Sequence, residues 1–227
     1  MTPWWVVAAC ALVLGVVGHL TGRELATGGY RIPEDEATHA PRNPWWTGPA
    51  TALFAGTAAV FVGGDARWAA LPAFLLLAWL TVALIWIDLD VHRLPVGLVV
   101  PGGAAIAGLL VVASLSEGGR RWVSALIGAV AMGLVYVVLA LLPGGGVGGG
   151  DVRLAPVLGG LLGWLGIGHL TVGIAAGFVI GGVGAVILLV GGRVGMKSSI
   201  AYGPAMCLGV WVAVVGTSRI LTWLLGG

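Results

Sequence analysis

The chain has 227 residues, of which 59% are hydrophobic and only 9% charged, with a formal net charge of +2. A soluble domain carries about 25% charged residues, so this composition excludes a water-soluble globule and predicts an integral membrane protein. The small positive charge gives no footing for a nucleic-acid partner, which needs a marked basic excess; the expected surroundings are membrane lipid.

Apolar runs of about 20 residues cross a bilayer core of roughly 30 Å as helices. Eight such spans are expected, at about 3–20, 46–64, 68–87, 97–114, 122–142, 154–170, 171–191 and 204–224. They predict an all-α polytopic bundle in a single membrane-embedded domain, 1–227. The first run is read as a retained span. "VVAAC" at 6–10 loosely resembles a lipoprotein cleavage box, but the stretch before it holds no Lys or Arg and is too short for a signal peptide. The longest polar segment, 21–45, "TGRELATGGYRIPEDEATHAPRNPW", holds three Pro and is too short to fold alone, so it is expected to be a loop. Its "PEDEAT" cluster reads as solvated surface. The third span runs into "WIDLDVHRLPVG" (86–97), and the fifth is followed by "GGGVGGGDVRLAP" (144–156). The sixth span is short, and its boundary with the seventh falls near "GIGHLTVG". In the seventh, glycines 173, 177 and 181 form a small-residue ridge for close helix packing.

Alternation and the positive-inside rule set the orientation. Loops 1, 3, 5 and 7 carry Arg23, Arg31, Arg42, Arg93, Arg153, Arg193 and Lys197, whereas the other side has Arg67, Arg120, Arg121 and Arg219. Loop 1 is therefore expected in the cytoplasm and the N-terminus outside. Cys10 and Cys207 lie far apart inside apolar runs and read as small buried helix residues. His19, His39 and His169 are scattered over both sides, so neither metal nor cofactor is expected. Most of the tryptophans sit at span ends, as in an aromatic belt.

Two spans separate loops 3 and 5, so Asp88, Asp90 and Asp151 are expected on one face of the membrane. Ionisable residues beside apolar helix ends are expensive and mark function by default. Two carboxylates brought together from separate helices can share a proton, because like charges a few ångströms apart do not both ionise easily. The ionised member can then activate water while the protonated one polarises a carbonyl. Glycines 148–150 would leave room for a peptide beside Asp151 and allow a sharp turn into the sixth span. A phosphate loop is the rival reading, but "GGGVGGGD" lacks the Gly-Lys-Ser/Thr ending and closes on a carboxylate. Two further alternatives stay open on the chemistry. Asp151 could be a solvated helix cap behind a glycine hinge, or the aspartates could bind cations or relay protons in a transporter.

At these residues the sequence resembles the bacterial type IV prepilin peptidases, a family of Gly-x-Gly-Asp intramembrane aspartic proteases. "GGGD" at 148–151 is similar to the signature itself, and "VRLAPVLGGLLGW" to its continuation. "IDLDVHRLP" resembles the first aspartate motif, with Asp88 followed seven residues later by Pro95. "KSSIAYGPAMCLG" (197–209) resembles a third segment, a lysine followed by an aromatic-Gly-Pro turn. The resemblance implies Asp88 and Asp151 as the catalytic pair, with Gly148, Gly149, Gly150, Pro95 and Lys197 around them in substrate binding or the active-site loop. Asp90 is the competitor for the first role. Implied substrates are prepilins or pseudopilins, cut after a glycine at the cytoplasmic face of the plasma membrane without a cofactor. Many relatives of this kind carry two Cys-x-x-Cys pairs after the first span and also N-methylate the product. Segment 21–45 holds no cysteine, so a peptidase-only form is expected, with "GYRIPEDEA" resembling the edge of the missing region. His92 and Arg93 read either as interfacial anchors or as contacts for an acidic substrate residue, and Lys197 either as a snorkelling lysine or as a substrate contact.

Overall fold

The computed structural model describes residues 2–33, 43–64, 67–117, 119–142, 147–190 and 202–225. They form eight α-helices: α1 (Trp4–Ala26), α2 (Thr47–Gly64), α3 (Leu71–Val91), α4 (Val96–Ser116), α5 (Arg121–Leu141), α6 (Gly149–Leu165), α7 (Ile167–Val190) and α8 (Gly203–Leu225). A single 3-10 turn, Trp68–Ala70, leads into α3, and no strand occurs among the described residues. The expected spans are thus present as eight helices in the expected order. Six of the resulting segments are long and apolar enough to cross a membrane. The exceptions are α2, diluted by Thr, Gly and Pro, and α6, whose 17 residues reach only about 25 Å at 1.5 Å per residue.

Three boundaries differ from expectation. Helix α3 does not stop at 87 but continues through Asp88 and Asp90 to Val91, because a helix end is set by backbone hydrogen bonding and not by where apolar residues cease. His92 ends it in the left-handed conformation (φ 52°), its N–H donating to the Asp88 carbonyl at 2.9 Å. Helix α6 begins at Gly149, so Asp151 is helical and not in a loop. The break between α6 and α7 falls at Gly166, the first residue of the expected "GIGHLTVG" stretch and four residues before the expected end at 170; its φ of +135° is open to glycine and strained for other residues.

The chain divides into two units, Met1–Leu109 and Leu110–Gly227, the division falling within α4. In the first unit α1 lies against α2 on small residues. A Cβ added at Gly18 would strike the Thr51 side chain, and one at Gly22 the Thr47 hydroxyl. Those hydroxyls are already spent on carbonyls within their own segment, Thr47 Oγ1 on Pro44 at 2.8 Å and Thr51 Oγ1 on Thr47 at 2.7 Å. Helix α3 is buried on all sides, from Phe74 through Leu80 and Thr81 to Asp88, as expected of a helix that is apolar all round.

In the second unit α5 and α6 run antiparallel along a glycine seam. Gly128 lies on the backbone of Gly159 and Gly163, Gly163 also meets the Ser124 carbonyl, and Gly133 faces Pro156. The expected ridge on α7 is used in the same way. Gly173 faces Ala213 and Leu162, Gly177 lies beside Ala205 and Met206, and Gly181 is covered by the Tyr202 ring. Without a hydrophobic drive between helices in lipid, close backbone approach of this kind is what holds them.

Candidate active site

The first aspartate motif folds as a helix end, a stop and a new start. Leu84, Trp86, Ile87 and Asp88 are buried on α3, and Asp90 closes its last turn. After the left-handed His92, Pro95 opens α4, its carbonyl accepting the N–H groups of Leu98 and Val99, both at 3.0 Å. The spacing from Asp88 to Pro95 is therefore the length of one tight connection between two helices. Asp88 and Asp90 are 3% and 2% exposed, and two residues apart on a helix they point about 200° from one another.

Asp90 is held by loop 1. Its Oδ2 accepts hydrogen bonds from the Tyr30 hydroxyl at 2.5 Å, from Arg31 Nη2 at 2.7 Å and from Arg31 Nε at 3.0 Å. The Arg31–Asp90 ion pair is buried, with the two side chains 8% and 2% exposed. Trp86 Nε1 donates to the Tyr30 hydroxyl at 3.2 Å, and Arg93 Nη2 to the Tyr30 carbonyl at 3.3 Å. Burial, then the bond to Asp90, pushes the Tyr30 phenol above its ordinary pKa, so the hydroxyl keeps its proton and acts as donor. Beneath lies a cluster of Leu25, Trp86 and Ile87, flanked by Tyr30, Trp46, Val91 and Leu98. A groove of about 240 Å³ opens beside Asp90, lined by Asn43, Trp45, Trp46, Trp86 and Leu89.

The second motif folds as a helix start. Gly148 is extended (φ −72°, ψ 152°), and Gly149 and Gly150 already belong to α6. None of the three has positive φ, so the expected sharp glycine turn is not made at 148–150. Exposed Gly148 and Gly149 leave the backbone bare beside Asp151. Asp151 is the third helical residue, and its Oδ2 accepts the Gly148 N–H at 3.3 Å. This is one half of a capping box; the other half needs a side chain at 148, which glycine lacks. The reading of Asp151 as a solvated cap is corrected: it caps, but it is only 6% exposed. Arg153 reaches back to the Gly149 carbonyl at 3.0 Å.

The structure brings Asp90, Tyr30, Arg31, Trp86 and Arg93 together, and it places Asp88 and Asp151 at helix ends in different units. Pro95 is half-buried at the start of α4, and Lys197 lies outside the described residues. Among the described residues no three His, Cys, Asp or Glu side chains gather where one ion could be held. Sequence reasoning missed the tie between Asp90 and loop 1. Arg31 counted there as positive-inside charge and as part of "GYRIPEDEA", and no local signal links it to Asp90, 59 residues away.

A family model described as the type IV leader peptidase family matches residues 74–226. Among curated proteins, a prepilin leader peptidase/N-methyltransferase of Aeromonas hydrophila is 34% identical over 164 residues, covering 70% of this chain and 53% of that protein. Proteins of the same name match from Stutzerimonas stutzeri, 32% identical over 65% of this chain and 50% of theirs, and from Bacillus subtilis strain 168, 26% identical over 74% and 66%. The chain spans about half the length of the first two. No solved structure matches.

Proposed function

Since the chain belongs to the type IV leader peptidase family, we propose that it is a membrane aspartic endopeptidase that removes the positively charged leader of prepilins or pseudopilins. Cleavage follows a glycine at the cytoplasmic face of the bacterial plasma membrane. Asp88 and Asp151 are the acting pair. One carboxylate takes a proton from water as the water oxygen bonds to the scissile carbonyl carbon, and the other, protonated, gives its proton to the carbonyl oxygen. Collapse of the tetrahedral species breaks the C–N bond, and the nitrogen leaves with a proton from the pair. The observation that carries this reading is that both motif aspartates within the family match sit nearly buried in the terminal turn of a helix. Asp90, the competitor, is engaged by Arg31 and Tyr30. Gly148–Gly150, Pro95 and Lys197 are assigned to the substrate side of this site. The proposal is peptidase activity alone, since segment 21–45 holds no cysteine.

The test is cleavage of a model prepilin in membranes by wild type, Asp88→Asn, Asp90→Asn and Asp151→Asn at matched expression. Asp88→Asn and Asp151→Asn should lose activity by about 10³-fold or more, as acting groups of one unit do. Asp90→Asn keeps an acceptor oxygen for Tyr30 but loses the charge paired with Arg31, so it should cleave more slowly than wild type while staying far above the other two variants. Full cleavage by Asp151→Asn would sink the pair and return attention to ion transport. Metal chelators should leave cleavage intact; inhibition reversed by zinc would overturn the carboxylate mechanism.

A further inference from the structure

Loop 1 is fastened to the turn that carries Asp88, and the fastening lies at an otherwise weakly held point. The last carbonyls of a helix have no partner further along it, and helix ends fray. In α3 the stop at His92 leaves the N–H bond to the Asp88 carbonyl as the closing one. Across this turn runs the Tyr30–Arg31–Asp90 clasp, three hydrogen bonds on a single carboxylate oxygen of a nearly buried ion pair. Bonds of this type, with donor or acceptor charged, are the strong and directional ones. Trp86 and Arg93 tie Tyr30 to α3 from one turn below and from just beyond the stop. Tyr30 and Arg31 lie outside the family match and Asp90 inside it, so a residue of the matched region takes its partners from the segment before it.

Resting on the peptidase reading above, we propose that Tyr30, Arg31 and Asp90 are positioning residues for Asp88, fixing the last turn of α3 in the geometry in which Asp88 reacts. The motif's two aspartates then divide the work. Asp88 touches water and substrate, and Asp90 anchors the turn to loop 1. A catalytic group displaced by about 1 Å can lose up to 100-fold in rate. Loosening the clasp should therefore act on kcat and leave KM in place.

The experiment measures kcat and KM on a model prepilin for wild type, Asp88→Asn, Arg31→Met, Arg31→Lys and Tyr30→Phe. Values are normalised to folded protein by thermal melts in detergent. Arg31→Met should lower kcat about tenfold, and Tyr30→Phe about threefold, with KM within about twofold of wild type. Arg31→Lys keeps the charge and one donor and should recover most of the Arg31→Met loss. If Arg31→Met fails to fold, Tyr30→Phe, which keeps the ring, decides. Wild-type kcat per folded molecule in both Arg31→Met and Tyr30→Phe would overturn the positioning role, even with lowered melting, and so would a rise in KM alone. Cleavage by wild type that disappears in Asp88→Asn keeps the peptidase reading standing in either case. No cleavage by wild type would overturn that reading and this role together.

Discussion

A polar atom inside this protein has water on no side, so each one must find a partner or destabilise the fold. Most have one. Ser114 Oγ donates to the Leu110 carbonyl at 2.7 Å and accepts the indole N–H of Trp164 at 2.9 Å, while Thr217 Oγ1 donates to the Ala213 carbonyl at 2.6 Å. Tyr136 is an exception: its ring is fully buried against Phe178 and Tyr202, and among the described residues its hydroxyl meets no hydrogen-bond partner within 3.5 Å. Two substitutions of similar size should therefore act in opposite directions. Ser114→Ala strands the Trp164 N–H and should destabilise by about 1–3 kcal/mol. Tyr136→Phe removes only the orphan oxygen and should leave the melting temperature in detergent unchanged or higher. A clear loss of stability in Tyr136→Phe would mean that the hydroxyl is bonded in the membrane. The same logic separates the aspartates: Asp90 has its charge matched by Arg31, which frees the motif to keep a second carboxylate for chemistry.

Between helices the governing quantity is how closely backbones approach. At Gly128, Gly159 and Gly163 an added Cβ would fall on the facing main chain, which cannot swing aside, whereas one added at Gly184 meets no atom of another element within 4 Å among the described residues. Gly159→Ala should cost about 1–3 kcal/mol through overpacking, while Gly184→Ala should gain up to about 1 kcal/mol of helix propensity. Thermal melts of both in one detergent check the pair, and equal melting would show that α5 and α6 do not meet through this seam. The two seams also show what a sequence discloses. The α7 ridge was legible because its glycines recur every four residues within one span. The α5–α6 seam was not, because Gly128 sits on one helix and Gly159 and Gly163 on the other, and only antiparallel pairing brings them together. Likewise Asp88 and Asp151 could be picked out by motif and by their closeness to apolar ends. Their inclusion in α3 and α6 could not, since hydropathy falls at a polar residue while the hydrogen-bond ladder runs on. The clasp was hidden for a third reason: Arg31 and Asp90 are 59 residues apart, and nothing in the local pattern pairs them.

For the molecule as a whole, the decisive property is which ends of the helices face the cytoplasm. Four residues join α3 to α4 and a single one, Gly166, joins α6 to α7, so these connections turn the chain back with no room to recross. With eight crossings, the segment between α1 and α2 shares a side with the α3–α4 turn and with the start of α6. Arg23, Arg31, Arg93 and Arg153 lie in these connections or in the helix turns beside them, and by the positive-inside rule they are expected to face the cytoplasm. The peptidase reading needs this sign, because the positively charged leader of its proposed substrate is met on that side. In a Cys10→Ala/Cys207→Ala background, a cysteine at exposed Thr27 and another at exposed Arg120 report the two faces to a membrane-impermeant maleimide. In intact cells Arg120→Cys should label and Thr27→Cys should not; in inside-out vesicles the pattern should reverse. Labelling of Thr27→Cys from outside would put both aspartate motifs on the wrong side of the membrane for a cytoplasmic leader. Labelling of both positions from one side would mean that α2, the helix between them least suited to crossing, does not span, and the faces of both aspartate motifs would then have to be assigned anew.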